Sequence, residues 1–170
     1  EPVCLLMLRR PPGSTLFPDT ALVRAGGGTG GTLPGVGEVL KVARPQTRIV
    51  ATEPAGAALL KGDDWKPHKI QGWTPDFVPD VLNRDVVDEL LTVEDDRAIA
   101  TARRLAAEEG IFVGISAGAP VASALDVAAR AEPGPVILAM LPDTGERHFS
   151  PPLFADVNEG SDDDWLAGLP

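Results

Sequence analysis

Ala21-Leu22-Val23-Arg24-Ala25-Gly26-Gly27-Gly28-Thr29-Gly30-Gly31-Thr32 is the stretch on which the fold turns. A short apolar segment runs into a glycine-rich turn, and a candidate helix follows to about Lys41. Strand, glycine turn and helix start together make the geometry of an anion cradle. Glycines let the backbone reach positive φ and approach an anion closely. Successive N–H groups at a helix N-terminus then point at that anion, and the helix dipole favours its charge. Thr29 and Thr32 can add hydroxyl donors. Glycine content alone is equally compatible with a plain loop. No Gly-Lys-Ser/Thr follows, so this is not the nucleotide P-loop. Nor does it fit a strict G-x-G-x-x-G: counted from Gly28, Leu33 stands where the last glycine belongs.

Beyond that turn the chain alternates strand and helix signals. Residues 47–52 spell a strand, Ala55 to Leu60 a short helix after Pro54, and residues 62–79 a loop rich in Pro, Gly and Trp. Val86 to Val93 contain a candidate strand. The clearest helix runs from about Val93 to Glu109. Thr92 is its expected N-cap with Asp95 three residues on, and Glu94, Asp95 and Asp96 fill the first turn, where the dipole favours carboxylates. Ala98, Ala102, Leu105 and Ala106 share one face, and Gly110 can end the helix in the left-handed region. Residues 111–115 are wholly apolar, as buried parallel strands are. Ser116 opens a further helix through Ala131, and residues 135–141 form another apolar strand. Such alternation predicts an α/β fold, a three-layer, mostly parallel twisted sheet flanked by helices. Residues 1–18 are expected to be a divergent, disordered lead, residues 19–156 the folded portion, and residues 157–170 a frayed acidic tail.

Composition narrows the function. The 170 residues are 44% hydrophobic, enough for one buried core. A net charge of -10 argues against nucleic acid and against anionic membranes as partners. No apolar run approaches the roughly 18 residues of a membrane span. Cys4 is the single cysteine, so no internal disulfide forms and a reducing compartment is expected. Charge follows the apolar run at residues 3–8 instead of preceding it, the wrong order for a secretion signal. The expected location is the cytoplasm, or an organelle stroma or matrix. No His or Cys pair stands at metal-ligand spacing, and no metal is expected.

Five segments in order resemble the C-terminal half of cysteine synthases, the O-acetylserine sulfhydrylases of the fold-type II pyridoxal-phosphate (PLP) enzymes. They are Gly28 to Thr32, His68-Lys69-Ile70-Gln71-Gly72, Thr101 to Leu105, Gly110 to Gly118, and Leu141 to Arg147. The resemblance covers roughly residues 20 to 156 and implies part of the large domain of the tryptophan synthase β-like fold. It implies that Gly28, Thr29, Gly30, Gly31 and Thr32 bind the cofactor phosphate and that the Ser116 hydroxyl bonds the pyridine nitrogen. A serine there leaves the ring largely neutral, which suits β-elimination over transamination. By its position alone, Ser116 is also simply a helix N-cap.

The resemblance further implies that His68, Gln71 and Gly72 belong to a loop at the active-site mouth, tied to closure and to serine acetyltransferase. Gly72-Trp73-Thr74-Pro75 replaces smaller residues there and is expected to stiffen the loop. Asp143 and Thr144 fall near the pyridine side, and His148 stands where the family has Tyr. The family's Schiff-base lysine and its substrate-carboxylate loop lie in the first half of those proteins. Lys41, Lys61, Lys66 and Lys69 are the only lysines here, and none has that lysine's context. Lys41 reads as a C-terminal helix cation. The chain begins with Glu1, and that, with residues 1–18 and a charged Arg24 in an apolar strand, predicts a truncated or misassembled product.

The expected function is therefore cysteine formation by β-replacement of O-acetylserine with sulfide. This chain is expected to be a fragment without a catalytic lysine, inactive alone, of an enzyme that is a homodimer at full length. The alternatives are a cystathionine β-synthase or cyanoalanine synthase, or a non-catalytic remnant that pairs with another subunit.

Overall fold

The computed structural model describes residues 22–26, 31–131, 136–148, 152–154 and 167–168. The expected lead at residues 1–18 lies outside them, as does nearly all of the expected acidic tail.

Strand β1 (Leu22–Gly26) leads through the glycine run to helix α1 (Thr32–Ala43), and β2 (Arg48–Pro54) follows. After a long loop, β3 (Glu89–Val93) precedes α2 (Asp95–Glu109), α3 (Ile115–Arg130) and β4 (Ile137–Ala139). The four strands form one sheet in the order β3-β2-β1-β4, every pair parallel. Side chains alternate across β2. Ile49 and Ala51 face α1, where they pack with Leu33, Val36, Leu40 and Leu138. Helices α2 and α3 cover the other face with Val93, Ala98, Ala102, Val113, Ile115 and Val121. These are the three layers that the alternation predicted.

Chain order places the site. From β1 the chain steps outward to β2 and β3, then crosses back to put β4 on β1's other side. The β1/β4 boundary is thus a topological switch point, where α/β sheets bind ligands outside the carboxyl ends of their strands. The glycine run leaves β1 at that edge, and residues 140–144 leave β4 there.

Several local expectations need correction. Residues 111–115 are not a sheet strand: β4 already occupies the free side of β1. They make a single antiparallel bridge, Val113 to Thr144, and Ile115 already belongs to α3. Their apolar character reflects burial against α2 and α3. Thr92 does not cap α2, because it lies in the β2/β3 ladder opposite Glu53. The N-cap is Glu94, with no side-chain cap bond. Asp95 instead accepts the Lys69 N–H at 2.7 Å. Residues 55–57 and 59–61 form two 3-10 turns in place of one helix. Gly110 does end α2 left-handed, at φ 68°.

Candidate functional site

Helix α1 begins without a side-chain cap. Gly31 is its N-cap at φ -80° and ψ -44°, and no acidic residue sits in the first turn. The N–H groups of Thr32 and Leu33 are left without helical partners, as at any helix start. A β-carbon on Gly31 would meet nothing within 4 Å. Gly28, Thr29 and Gly30 lie outside the described residues.

Ser116 lies in the first turn of α3 and is 4% exposed. Its Oγ donates to Asp143 Oδ1 at 2.6 Å. Two backbone contacts deliver Asp143 there. Val113 bridges Thr144, and the Gly145 N–H donates to the Phe112 carbonyl at 3.2 Å. Gly145 has no room for a side chain, since a β-carbon would stand 2.8 Å from the Phe112 ring. Sequence reading had placed Asp143 in this region without pairing it to Ser116, because 27 residues separate them.

Two further polar groups are buried in β2. Thr52 sits opposite Gly26 in the β1/β2 register, and its hydroxyl is buried without a hydrogen-bond partner. By alternation with Ile49 and Ala51 it faces the α2/α3 side of the sheet. Glu53, 1% exposed, accepts the Leu60 N–H with both oxygens, at 3.0 and 3.2 Å. Burial pushes its carboxyl above the ordinary carboxylate range, only partly offset by the Leu60 and Lys61 N–H groups and the nearby Lys61 and Arg84 charges. A lone carboxylate in an apolar strand was the available signal for Glu53, and sequence reading passed over it.

The loop of His68, Gln71 and Gly72 adjoins the start of α2, beyond the carboxyl end of β3. Ile70 and Trp73 are buried in the α2/α3 core, while Gln71 and Gly72 are exposed, Gly72 at φ 73°. His68 Nε2 lies 3.3 Å from the Thr74 carbonyl, so that nitrogen carries the hydrogen, and Nδ1 is buried without a partner. Trp65 Nε1 donates to the same carbonyl at 3.1 Å. The loop and Ser116 therefore share one edge of the sheet but stand over different strands.

The lysines are held elsewhere. Lys41 reaches Asp88 and the Thr47 carbonyl at the amino ends of β2 and β3, the edge opposite the glycine run. Lys61 bonds Thr92 and Lys69 bonds Asp96, both near the far edge strand β3. Among the described residues no His, Cys, Asp and Glu groups converge as metal ligands. No helix among them is long and apolar enough to cross a membrane.

Comparison with known proteins places this geometry in context. Residues 14–143, well over half of the chain, match the family model described as "Pyridoxal-phosphate dependent enzyme". An O-ureido-L-serine synthase of Streptomyces lavendulae is 61% identical over 144 residues, 85% of this chain and 44% of that protein. A probable cysteine synthase of Bacillus subtilis is 46% identical over 133 residues, 78% of this chain and 43% of that protein. The crystal structure of an O-ureido-L-serine synthase superposes with a TM-score of 0.82 at 59% identity, covering 87% of this chain and 47% of that one. The chain spans less than half the length of each of these relatives.

Proposed function

The chain belongs to the pyridoxal-phosphate dependent enzyme family, and from that premise we propose that it is the cofactor-holding portion of a β-replacement enzyme acting on an O-activated serine. The observation that carries this reading is the bond between buried Ser116 and half-buried Asp143 at the switch point beside the carboxyl end of β1.

The donor set suits PLP at both ends. At the phosphate end, α1 offers an N-terminus with neither a side-chain cap nor an acidic first turn to compete with an anion. Gly28, Thr29, Gly30, Gly31 and Thr32 would hold that phosphate. At the ring end, Ser116 would meet the pyridine nitrogen. Bound PLP supplies the electron sink that acidifies the substrate Cα–H and loosens the β-substituent.

The protein's own part is to bind and orient. The α1 N-terminus would hold one end of the cofactor and Ser116 the other. Lys41, Lys61 and Lys69 are held away from Ser116, and Lys66 is exposed in the loop, its N–H on the Gly56 carbonyl at 2.8 Å. The amine that exchanges with substrate and moves the α-proton is then supplied by residues outside this chain. The family's partners are small molecules, and a homodimer is the assembly we assign to the whole enzyme. Burial of Trp73 anchors the loop from His68 to Gly72, which argues against a wide closure motion and against serine acetyltransferase docking there.

Two nucleophiles are in contention. Sulfide would give cysteine, as the probable cysteine synthase relative suggests. The higher identity to an O-ureido-L-serine synthase favours a urea-derived oxygen nucleophile. Dialysis of the purified chain against PLP tests the cofactor reading: binding without borohydride-stable attachment supports it, and no binding refutes it. The native polypeptide carrying this chain, supplied with O-acetylserine and each nucleophile in turn, identifies the product by mass. The chain alone is expected to form negligible cysteine, and robust turnover by it would overturn the assignment of the lysine elsewhere.

A further inference from the structure

We propose that Trp65 and His68 form a clamp on the Thr74 carbonyl, which holds a disfavoured backbone turn and makes residues 72–75 a two-state element.

Among the described residues, Thr74 alone combines a side chain with a positive φ, at 27°. Two features of the sequence oppose that value. A β-branched residue at positive φ is a genuine outlier. Pro75 follows, and a proline ring crowds the residue before it toward extended backbone, with φ near about -120°. Thr74 is also buried, so the turn is not a frayed surface feature. Backbone held this far from its preference persists only where the surroundings over-determine it.

The contacts that do so converge on one atom. A carbonyl oxygen has two lone pairs, and that of Thr74 accepts from two rings, Trp65 Nε1 at 3.1 Å and His68 Nε2 at 3.3 Å. The rings meet edge to face with centroids 6.4 Å apart, so each limits the other's rotation. Their chain neighbours are tied down from outside the turn. The Lys66 N–H donates to the Gly56 carbonyl at 2.8 Å, and the Lys69 N–H to Asp95 Oδ2 at 2.7 Å. Ile70 and Trp73 are buried in the core before Thr74, whereas Asp76 and Phe77 after it are exposed. Thr74 is therefore the joint between an anchored segment and an exposed one.

In the clamped state both rings hold the carbonyl and the strain is retained. In the relaxed state Thr74 becomes extended, a rotation of roughly 150° about its N–Cα bond that carries the carbonyl off both donors. Strain favours the relaxed state, and the ring donors favour the clamped one. Trp65 and His68 are positioning residues: they fix where residues 75–77 leave the sheet edge that also carries Ser116, before any ligand arrives.

NMR hydrogen exchange of the Trp65 indole N–H in the chain reads the balance. His68→Leu removes one of the two donors and is expected to speed that exchange about two- to tenfold, the worth of one hydrogen bond. Thr74→Gly removes the strain and is expected to slow exchange below the wild-type rate. The double variant is expected to return toward wild type. If His68 merely packs against Trp65, exchange in the double variant will stay as fast as in His68→Leu, and the proposal fails. It fails equally if His68→Leu leaves exchange unchanged, or if Thr74→Gly exchanges as fast as wild type or faster. Should either variant not fold by circular dichroism, Thr74→Asn decides alone, since asparagine tolerates positive φ. Slower exchange than wild type supports the clamp, and equal or faster exchange overturns it.

Discussion

Gly118 lies so close to Ala98 that a β-carbon on it would stand 2.1 Å from the Ala98 carbonyl oxygen and 2.9 Å from the Ala102 nitrogen. The obstacles are backbone atoms of α2, which cannot turn aside as a side chain could. Only glycine lets α2 and α3 approach this closely.

Gly118→Ala is therefore expected to push α3 off α2 and to destabilise the fold by about 2 kcal/mol or more, in the range for forced overpacking. Ser116 lies two residues earlier on the same helix, so its bond to Asp143 should lengthen too. Urea unfolding gives the stability loss, and PLP affinity should fall alongside it. A variant with wild-type stability would mean that the helices separate without cost.

Gly31→Asp is expected to split stability from binding. A carboxylate at the N-cap meets the positive end of the helix dipole and adds roughly a few tenths of a kcal/mol over glycine. Space is open at Gly31, and its φ of -80° suits any residue. The same carboxylate would repel a phosphate from that helix end. Thermal unfolding should show a higher midpoint, while PLP affinity should drop at least about tenfold, the equivalent of 1.4 kcal/mol. Unchanged PLP affinity would remove the phosphate from the α1 N-terminus.

The layers were legible in the sequence because they follow from periodicity. Ala98, Ala102 and Leu105 do lie buried on one face of α2, and Gly110 does end it. The N-cap reading of Ser116 does not hold: Gly114 is the N-cap of α3, and the Ser116 hydroxyl bonds Asp143 instead. Residues 111–115 misled because an apolar run reports burial and not pairing, and a parallel sheet gives each strand only two sides. Thr92 misled because a strand ladder claimed it before the helix could. The Ser116–Asp143 bond was not legible, since no local rule links residues brought together only by the crossing from α3 to β4. The partners of Glu53 were hidden for a related reason: the N–H groups that hold it belong to a turn that periodicity reads as a helix.

Asp88 should be an anchor at the amino edge of the sheet. Its Oδ2 accepts the Ile49 N–H at 2.6 Å and Lys41 at 2.6 Å, tying the end of α1 to the start of β2. Burial works against its charge, yet the Ile49 N–H and the Lys41 ammonium outweigh burial and hold the carboxyl below its ordinary value. Asp88→Ala is expected to cost about 1–2 kcal/mol at neutral pH, a figure reduced for a pair that remains partly in water. A lowered native value means that this stability is present above the unfolded-state value and is lost as pH falls through the native one. The deficit of the variant, measured by urea unfolding, should therefore shrink toward acid. A deficit that is equal at neutral and acid pH would assign it to packing.

Glu53 should respond to pH with the opposite sign. Its carboxyl is raised, mainly by burial, so the unfolded chain ionises it more readily than the native protein does. Its favourable contribution is complete below the unfolded-state value and disappears as pH rises through the higher native one. At neutral pH the native state thus carries a disfavoured charge at a position only 1% exposed. Glu53→Gln removes that charge and leaves an oxygen to accept the Leu60 N–H. The stability of the variant relative to wild type should become more favourable as pH rises from the acid side of the carboxylate range to neutrality. Paired urea titrations across that interval read the change. A difference that stays constant with pH would mean that Glu53 titrates alike in the folded and unfolded chain, and that its two bonds to Leu60 offset its burial in full.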